Sequence, residues 1–222
     1  MNGDGMTERR NDCGRRVGLI VLLLLSVLPS FRRLSAQVSV HLAAGVRYSS
    51  TLVHDSIVNP LDLRPALAPT LLLSARHDLN PGWSADVSLD LSPSGLRRRE
   101  SGQSFDAGSF TAVAFTVALR HDLAPGLSAR AGAGGLRYAT AQTGVFRQGS
   151  GGLFPLLTVA ATYAPTLGAR RGLAVEARYD LHQFITPALR STGFTDPRPV
   201  HRIALTVSAR VVGRRRGEGG AP

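Results

Sequence analysis

The chain contains no lysine: all 26 of its basic residues are arginine, in a sequence of 222. It has a single cysteine, Cys13, and a single tryptophan, Trp83, and its aromatic content is only 6%. Each scarcity excludes something. Cys13 precedes the one long apolar run, so it cannot be a lipid-modified cysteine after that run. It is also expected to leave with the N-terminal segment, so the remaining chain would carry no disulfide and no thiol chemistry. No apolar run reaches the ~20 residues that a membrane-spanning helix needs. Mean hydropathy is +0.03, which excludes a helical membrane protein apart from one segment near the start. Beyond Gln37 there is no helix-period segment of convincing length.

The formal charge of +11 raises the question of nucleic acid. Its distribution answers against it. Six arginines lie in residues 1–36, three are Arg214–Arg216 in the tail, and three are Arg97–Arg99 in one loop. No nucleic-acid-binding motif accompanies them.

The first 36 residues have the three parts of a secretory signal. Arg9, Arg10, Arg15 and Arg16 form a basic start, Val17–Leu28 is an apolar run, and Leu34-Ser35-Ala36 offers a small residue before Gln37. The expected organisation is a signal peptide over 1–36, a β-domain over 37–213, and a basic, Gly-rich tail over 214–222. The signal implies export.

From Gln37 onward the chain shows period-2 alternation, the signature of strands. Eight strands are predicted, at about 38–52, 66–79, 83–91, 109–123, 127–138, 153–164, 173–182 and 201–212. The third is the clearest: Trp83, Ala85, Val87, Leu89 and Leu91 alternate with Ser84, Asp86, Ser88 and Asp90. A repeated motif fixes two hairpins. Residues 76–82 read Arg-His-Asp-Leu-Asn-Pro-Gly and residues 120–126 read Arg-His-Asp-Leu-Ala-Pro-Gly. Proline presets φ for a tight turn and glycine accepts the positive φ that ends it. A third turn, somewhat longer, spans 165–172. The other four connections, 53–65, 92–108, 139–152 and 183–200, are longer and read as loops. Short turns therefore alternate with long loops, as in an up-and-down membrane barrel.

The two faces of these strands differ in kind. One is apolar. The other collects seven arginines, Arg47, Arg76, Arg120, Arg130, Arg178, Arg202 and Arg210, and six carboxylates, Asp78, Asp86, Asp90, Asp122, Glu176 and Asp180. In lipid every backbone polar group must be paired, so a sheet must close, with its apolar face outward. An eight-stranded barrel has room inside only for side chains. Near-balanced charges there predict an interior plugged by ion pairs rather than an open pore. Arg76 and Arg120 are expected to pair with Asp78 and Asp122 or with the third and fifth strands, plugging the short-turn end. Tyr48, Phe110, Tyr138, Phe154 and Tyr179 near the long-loop ends, and Trp83 and Tyr163 near the short-turn ends, read as interfacial girdles. The competing fold is a soluble, lipocalin-like barrel with the same strands turned inside out.

Chemistry-bearing constellations are sparse. His54-Asp55-Ser56 contains triad residue types, but neighbours on an extended chain point apart. His54, His182 and His201 could gather at the outer rim with Asp180; a lipid hydrolase would use a His and a Ser at such a surface, but no His-x-Ser pair stands on a predicted strand. Gly132, Gly134 and Gly135 lack the helix that completes a phosphate-binding loop and suit crowding in a barrel wall. Arg97, Arg98 and Arg99 could contact lipid phosphates, which suit arginine. No catalytic residue, metal site or cofactor is expected.

With its signal, strand count and turn–loop asymmetry, residues 37–213 resemble the small eight-stranded outer-membrane proteins of the OmpA/OmpX-like type. The resemblance implies an all-β, eight-stranded antiparallel up-and-down transmembrane β-barrel in a bacterial outer membrane. It implies contact with outer-membrane lipid, insertion by the barrel-assembly machinery, a monomer, and a structural or surface-interaction role through the outer loops. A lipid-modifying hydrolase and a narrow channel or small-solute transporter are the alternatives. Two features depart from the type. The last strand ends Arg210-Val211-Val212-Gly213 rather than in an aromatic residue, and no peptidoglycan-binding domain is expected after it.

Overall fold

The computed structural model describes residues 38–55, 61–100, 103–140, 152–165, 172–191, 193 and 195–212. The expected signal peptide, the basic tail, most of the third short turn and most of loop 139–152 lie outside them. The strands are β1 (Val38–Ser49), β2 (Val53–Asp55), β3 (Leu61–Pro65), β4 (Ala68–Asn80) and β5 (Trp83–Glu100). Next in the chain come β6 (Gln103–Ala124), β7 (Leu127–Thr140), β8 (Phe154–Tyr163), β9 (Leu173–Phe184) and β10 (Arg198–Val212), with a short helix α1 (Pro187–Ser191) between the last two. No described helix is long and apolar enough to cross a membrane.

Eight strands form an antiparallel ring. The order β5-β4-β1-β10-β9-β8-β7-β6 is closed by pairing of β6 with β5. The register around the ring can be traced residue by residue. It runs from Val38 through His77, Ala85, Leu119, Ala131, Val159, Tyr179 and Ile203 and returns to β1 at Tyr48, ten residues above its start. That stagger tilts the strands and removes every free edge from the wall.

The alternation in the sequence becomes inside and outside. Leu205, Val207, Ile203, Leu157, Leu119, Val117 and Phe115 are each about half exposed or more, while Ser88, Asp90, Thr116, Thr158, Arg178 and Arg202 are buried. A water-soluble barrel would have the reverse polarity. The wall is built to face lipid, and the structure is an eight-stranded antiparallel transmembrane β-barrel.

Glycines serve the curvature at defined points. Gly82 and Gly126, which close the two repeated turns, have φ of 81° and 77°. Inside the wall, a Cβ on Gly134 would lie 1.9 Å from the Phe115 carbonyl oxygen, and one on Gly132 would lie 2.2 Å from that of Val117. Strand β7 therefore presses onto β6 where only glycine fits.

Two expected loops are not loops. Within 53–65 the chain forms β2 and β3, and within 92–108 strands β5 and β6 run on as a hairpin. β3 pairs with the upper part of β5, from Pro65 opposite Leu96 to Leu61 opposite Glu100, and β2 adds to β3. The result is a four-stranded sheet, β2-β3-β5-β6, standing on one side of the barrel's long-loop end. Its sequence signal is Leu-Asp-Leu-Arg-Pro, a short period-2 run inside the expected first loop. Loop 183–200 is also shorter than expected. β9 reaches Phe184, β10 starts at Arg198, and α1 begins after Thr186, whose Oγ1 accepts the Leu189 N–H at 3.2 Å as an N-cap.

Candidate functional site

The bore holds two layers. The lower layer is ionic. Near the short-turn end, Asp86 on β5 accepts from Arg76 Nε at 3.1 Å and from Arg120 Nε at 2.9 Å. Arg120 reaches on to Glu176 on β9 at 3.3 Å, and its other amine donates to Ser128 and Thr162. Glu176 also receives Arg130 at 2.7 Å.

Above this, Arg47 grips Asp90 with both amines, at 2.5 and 2.7 Å. Asp90 is bonded as well by Arg178 and by Thr70. Arg178 and Arg47 both approach Asp180, at 3.2 and 3.5 Å. β5 and β9 stand four places apart in the ring of eight, so Asp90 and Arg178 join across its full width. Charged groups buried this deeply are costly unless paired and hydrogen-bonded.

Of the charged residues expected inside, Arg47, Asp86, Asp90, Arg120, Arg130, Glu176, Arg178, Asp180 and Arg202 are buried. Arg76 is partly exposed at the lower edge. Of the two pairings expected for Arg76 and Arg120, the one within their own strands, to Asp78 and Asp122, does not form, and the one to the third predicted strand does. Both arginines turn instead to Asp86, which sits deeper in the bore, and the short-turn mouth is left as a blind cavity of about 560 Å³ lined by His41, Arg76, Arg120, Glu176 and Arg210. Arg202 is 1% exposed, with no hydrogen-bond partner at either terminal amine.

The upper layer is apolar. Phe110, Tyr138 and Phe154, expected at the lipid surface, point inward. Tyr138 meets Phe110, Phe154 and Phe184 edge-on, with ring centroids 5.1, 5.8 and 5.5 Å away, an arrangement aromatic pairs favour. Its hydroxyl bonds His182 Nε2 at 2.9 Å. Leu52, Leu63, Leu96, Leu136, Leu156, Leu189 and Val200 belong to the same cluster. The sequence carries the signal in strand parity: Phe110, Tyr138 and Phe154 share their phase with Ala112, Arg130 and Leu156, all inward. Tyr48, Tyr179, Trp83 and Tyr163 remain exposed on the outer wall, where Trp83 stacks on His121 at 4.4 Å.

The rim histidines do not converge. His182 lies in the bore, and His201 sits on the outer wall bonded to Tyr179 at 2.7 Å. His54 bonds Asp62 at 2.6 Å on the raised sheet, beside a rim cavity of about 460 Å³. Asp180 belongs to the ionic layer. Ser56, the nucleophile type of the His54-Asp55-Ser56 run, lies outside the described residues. Among the described residues, no group of three or more His, Asp or Glu is placed to hold a metal ion.

The three arginines of the expected lipid-phosphate contact separate by face. Arg97 and Arg99 point outward with Arg64 and His54. Arg98, on the opposite face, pairs with Glu100 at 2.7 Å.

No protein-family model matches this chain, and no curated protein sequence matches it. The chain is similar to several solved structures. Neisserial surface protein A is 15% identical over 80% of this chain and 97% of its own, with a TM-score of 0.46. The attachment invasion locus protein Ail of Yersinia pestis, solved with the heparin analogue sucrose octasulfate, is 14% identical over 79% and 99%, with a TM-score of 0.45. The outer membrane protein OprG of Pseudomonas aeruginosa is 7% identical over 79% and 93%, with a TM-score of 0.42. The ring closure and face pattern of this chain identify it as an eight-stranded transmembrane barrel.

Proposed function

We propose that this is a bacterial outer-membrane protein that works through contacts at its long-loop end, and that its bore conducts nothing. The observation that carries this reading is the two-layered filling of the bore: an ionic layer crossing its full width, from Asp90 to Arg178, beneath the aromatic cluster around Tyr138. A path for ions or solutes would have to break both layers. The raised sheet β2-β3-β5-β6, by contrast, stands clear of the ring and offers charged, exposed side chains.

In this reading residues 1–36 direct export, the barrel-assembly machinery inserts the chain as a monomer, and the wall lies in outer-membrane lipid. The test has two parts. Cell fractionation is expected to place the mature chain in the outer membrane, extractable only with detergent. Planar bilayers holding the refolded barrel are expected to show no stable conductance steps. A mature chain soluble without detergent overturns the membrane assignment, and reproducible ion-selective steps overturn the closed bore in favour of a narrow channel.

A further inference from the structure

The raised sheet has an outward face whose charges are unequally engaged. Cross-strand register puts Arg64 opposite Arg97, and Arg97 opposite Asp106, in one row. The next outward row holds His54, Asp62, Arg99 and Ser104. The two carboxylates of this face are already occupied. Asp62 bonds His54 at 2.6 Å, and Asp106 accepts the backbone N–H of Gly108 at 2.8 Å. Among the described residues, no carboxylate lies within ion-pair distance of Arg64, Arg97 or Arg99; Arg64 makes only long contacts of 3.4 Å to the Thr51 hydroxyl. Like charges directly opposite on neighbouring strands are unfavourable, so a bound anion would relieve the repulsion between Arg64 and Arg97.

The height of this face identifies the anion's source. On β5 the outward residues Ala85, Val87, Leu89, Leu91, Pro93 and Gly95 carry no charge, and the next two outward positions are Arg97 and Arg99. A tilted strand crosses the hydrocarbon in about 9–11 residues. Ala85 to Gly95 fills that length, so Arg97 stands at the level of the lipid headgroups and faces them. On β6 the outward residues Leu119, Val117, Phe115, Val113, Thr111 and Ser109 are likewise uncharged below Asp106. Arginine's planar fork matches phosphate oxygens two at a time.

We propose that Arg64, Arg97 and Arg99 form a clamp for the phosphate groups of a phosphorylated membrane lipid lying against the β3–β5 face of the barrel. The inference rests on the outer-membrane reading above. Arg98, turned to the other face and paired with Glu100, is outside the clamp.

The full mature chain, refolded in detergent, is titrated with diphosphoryl lipid A and monitored by native mass spectrometry, with phosphatidylcholine, whose single phosphate is balanced by its choline cation, as the net-neutral comparison. Heat-dependent gel mobility reports that each variant is folded. The triple variant R64Q/R97Q/R99Q is expected to bind diphosphoryl lipid A roughly a hundredfold more weakly, the combined effect of three arginines at a membrane surface, and R98Q to stay within about twofold of the native chain. Phosphatidylcholine binding is expected to be weak and equal in all variants. A folded triple variant that binds as the native chain does, or an R98Q variant that loses as much, overturns the clamp. Equal competition by soluble inositol hexakisphosphate overturns the lipid assignment in favour of a free polyanion. A barrel that fractionates with the outer membrane but shows any of these results loses the clamp alone. A chain found soluble loses the underlying reading as well.

Discussion

Asp90 of β5 and Arg178 of β9 bond each other across the full width of the barrel, although 88 residues separate them in sequence. Arg47 holds the same carboxylate from β1. One aspartate thus ties three well-separated strands of the wall together through the bore. Replacing it with a neutral side chain leaves two buried guanidinium groups to share the single carboxylate of Asp180, and breaking a buried ion pair in this way ordinarily costs about 3–5 kcal/mol. Asp90→Asn is expected to destabilise the barrel by that amount, measured by urea unfolding in lipid vesicles with the fluorescence of Trp83 as reporter. A loss under about 1 kcal/mol, the range of an exposed pair, refutes the bracing role. Asp90→Leu combined with Arg178→Met is expected to recover part of the stability, because the uncompensated charge is removed with its partner.

Tyr138 sits at the centre of the aromatic layer and is buried, whereas Tyr48 is 44% exposed on the wall. Truncating a buried aromatic ring costs about 3–5 kcal/mol. Tyr138→Ala is expected to fall in that range and Tyr48→Ala well below it, in the same unfolding experiment. Equal losses for the two would mean that the upper bore is not a packed core.

Gly134 and Gly95 give a sharp contrast in the wall. A methyl group at Gly134 meets the Phe115 carbonyl oxygen at 1.9 Å, while one at Gly95 finds nothing nearer than the Ala66 Cβ at 4.0 Å. Gly134→Ala is expected to cut the yield of folded, heat-modifiable barrel severely, because β6 and β7 must separate to admit it. Gly95→Ala is expected to fold normally. A fully folded Gly134→Ala barrel would falsify the close β6–β7 approach.

The polarity of the wall makes its own prediction. Val117 lies midway along the apolar outer face of β6 and is 49% exposed. An arginine near the bilayer midplane of a β-barrel costs about 2–4 kcal/mol. Val117→Arg is expected to cost this much in vesicles, and Arg97→Ala, above the apolar band, about ±0.5 kcal/mol as for other surface changes. A neutral Val117→Arg would indicate that this face meets water.

Much of this architecture is legible in the chain itself, since a strand's two-residue period is a local property. Alternation such as Trp83 to Leu91 assigns each side chain to one face, and the repeated Arg-His-Asp-Leu-x-Pro-Gly marks two tight turns. Closure comes from the need to pair every backbone group in lipid. Strand parity even carries the inward phase of Phe110, Tyr138 and Phe154, although interfacial aromatics offered a more familiar reading of those residues. The alternation of Leu61, Leu63 and Pro65 around Asp62 and Arg64 is likewise a strand signal that the surrounding turn residues mask.

Partnership has a different origin. Which arginine meets which carboxylate depends on the stagger of the whole ring, the ten-residue rise from Val38 to Tyr48. That quantity is the sum of eight pairings, and no single strand encodes it. The stagger directs Arg76 and Arg120 to Asp86 rather than to the aspartates two residues along, and it joins Asp90 to Arg178. The ring also lets β5 and β6 outrun the wall, so that β3 pairs above β4 and brings Arg64 beside Arg97. The barrel and its two faces are thus written strand by strand, because sidedness is local. The contacts inside the bore and on the raised sheet come from the closed ring alone, because they depend on the stagger accumulated around its circle.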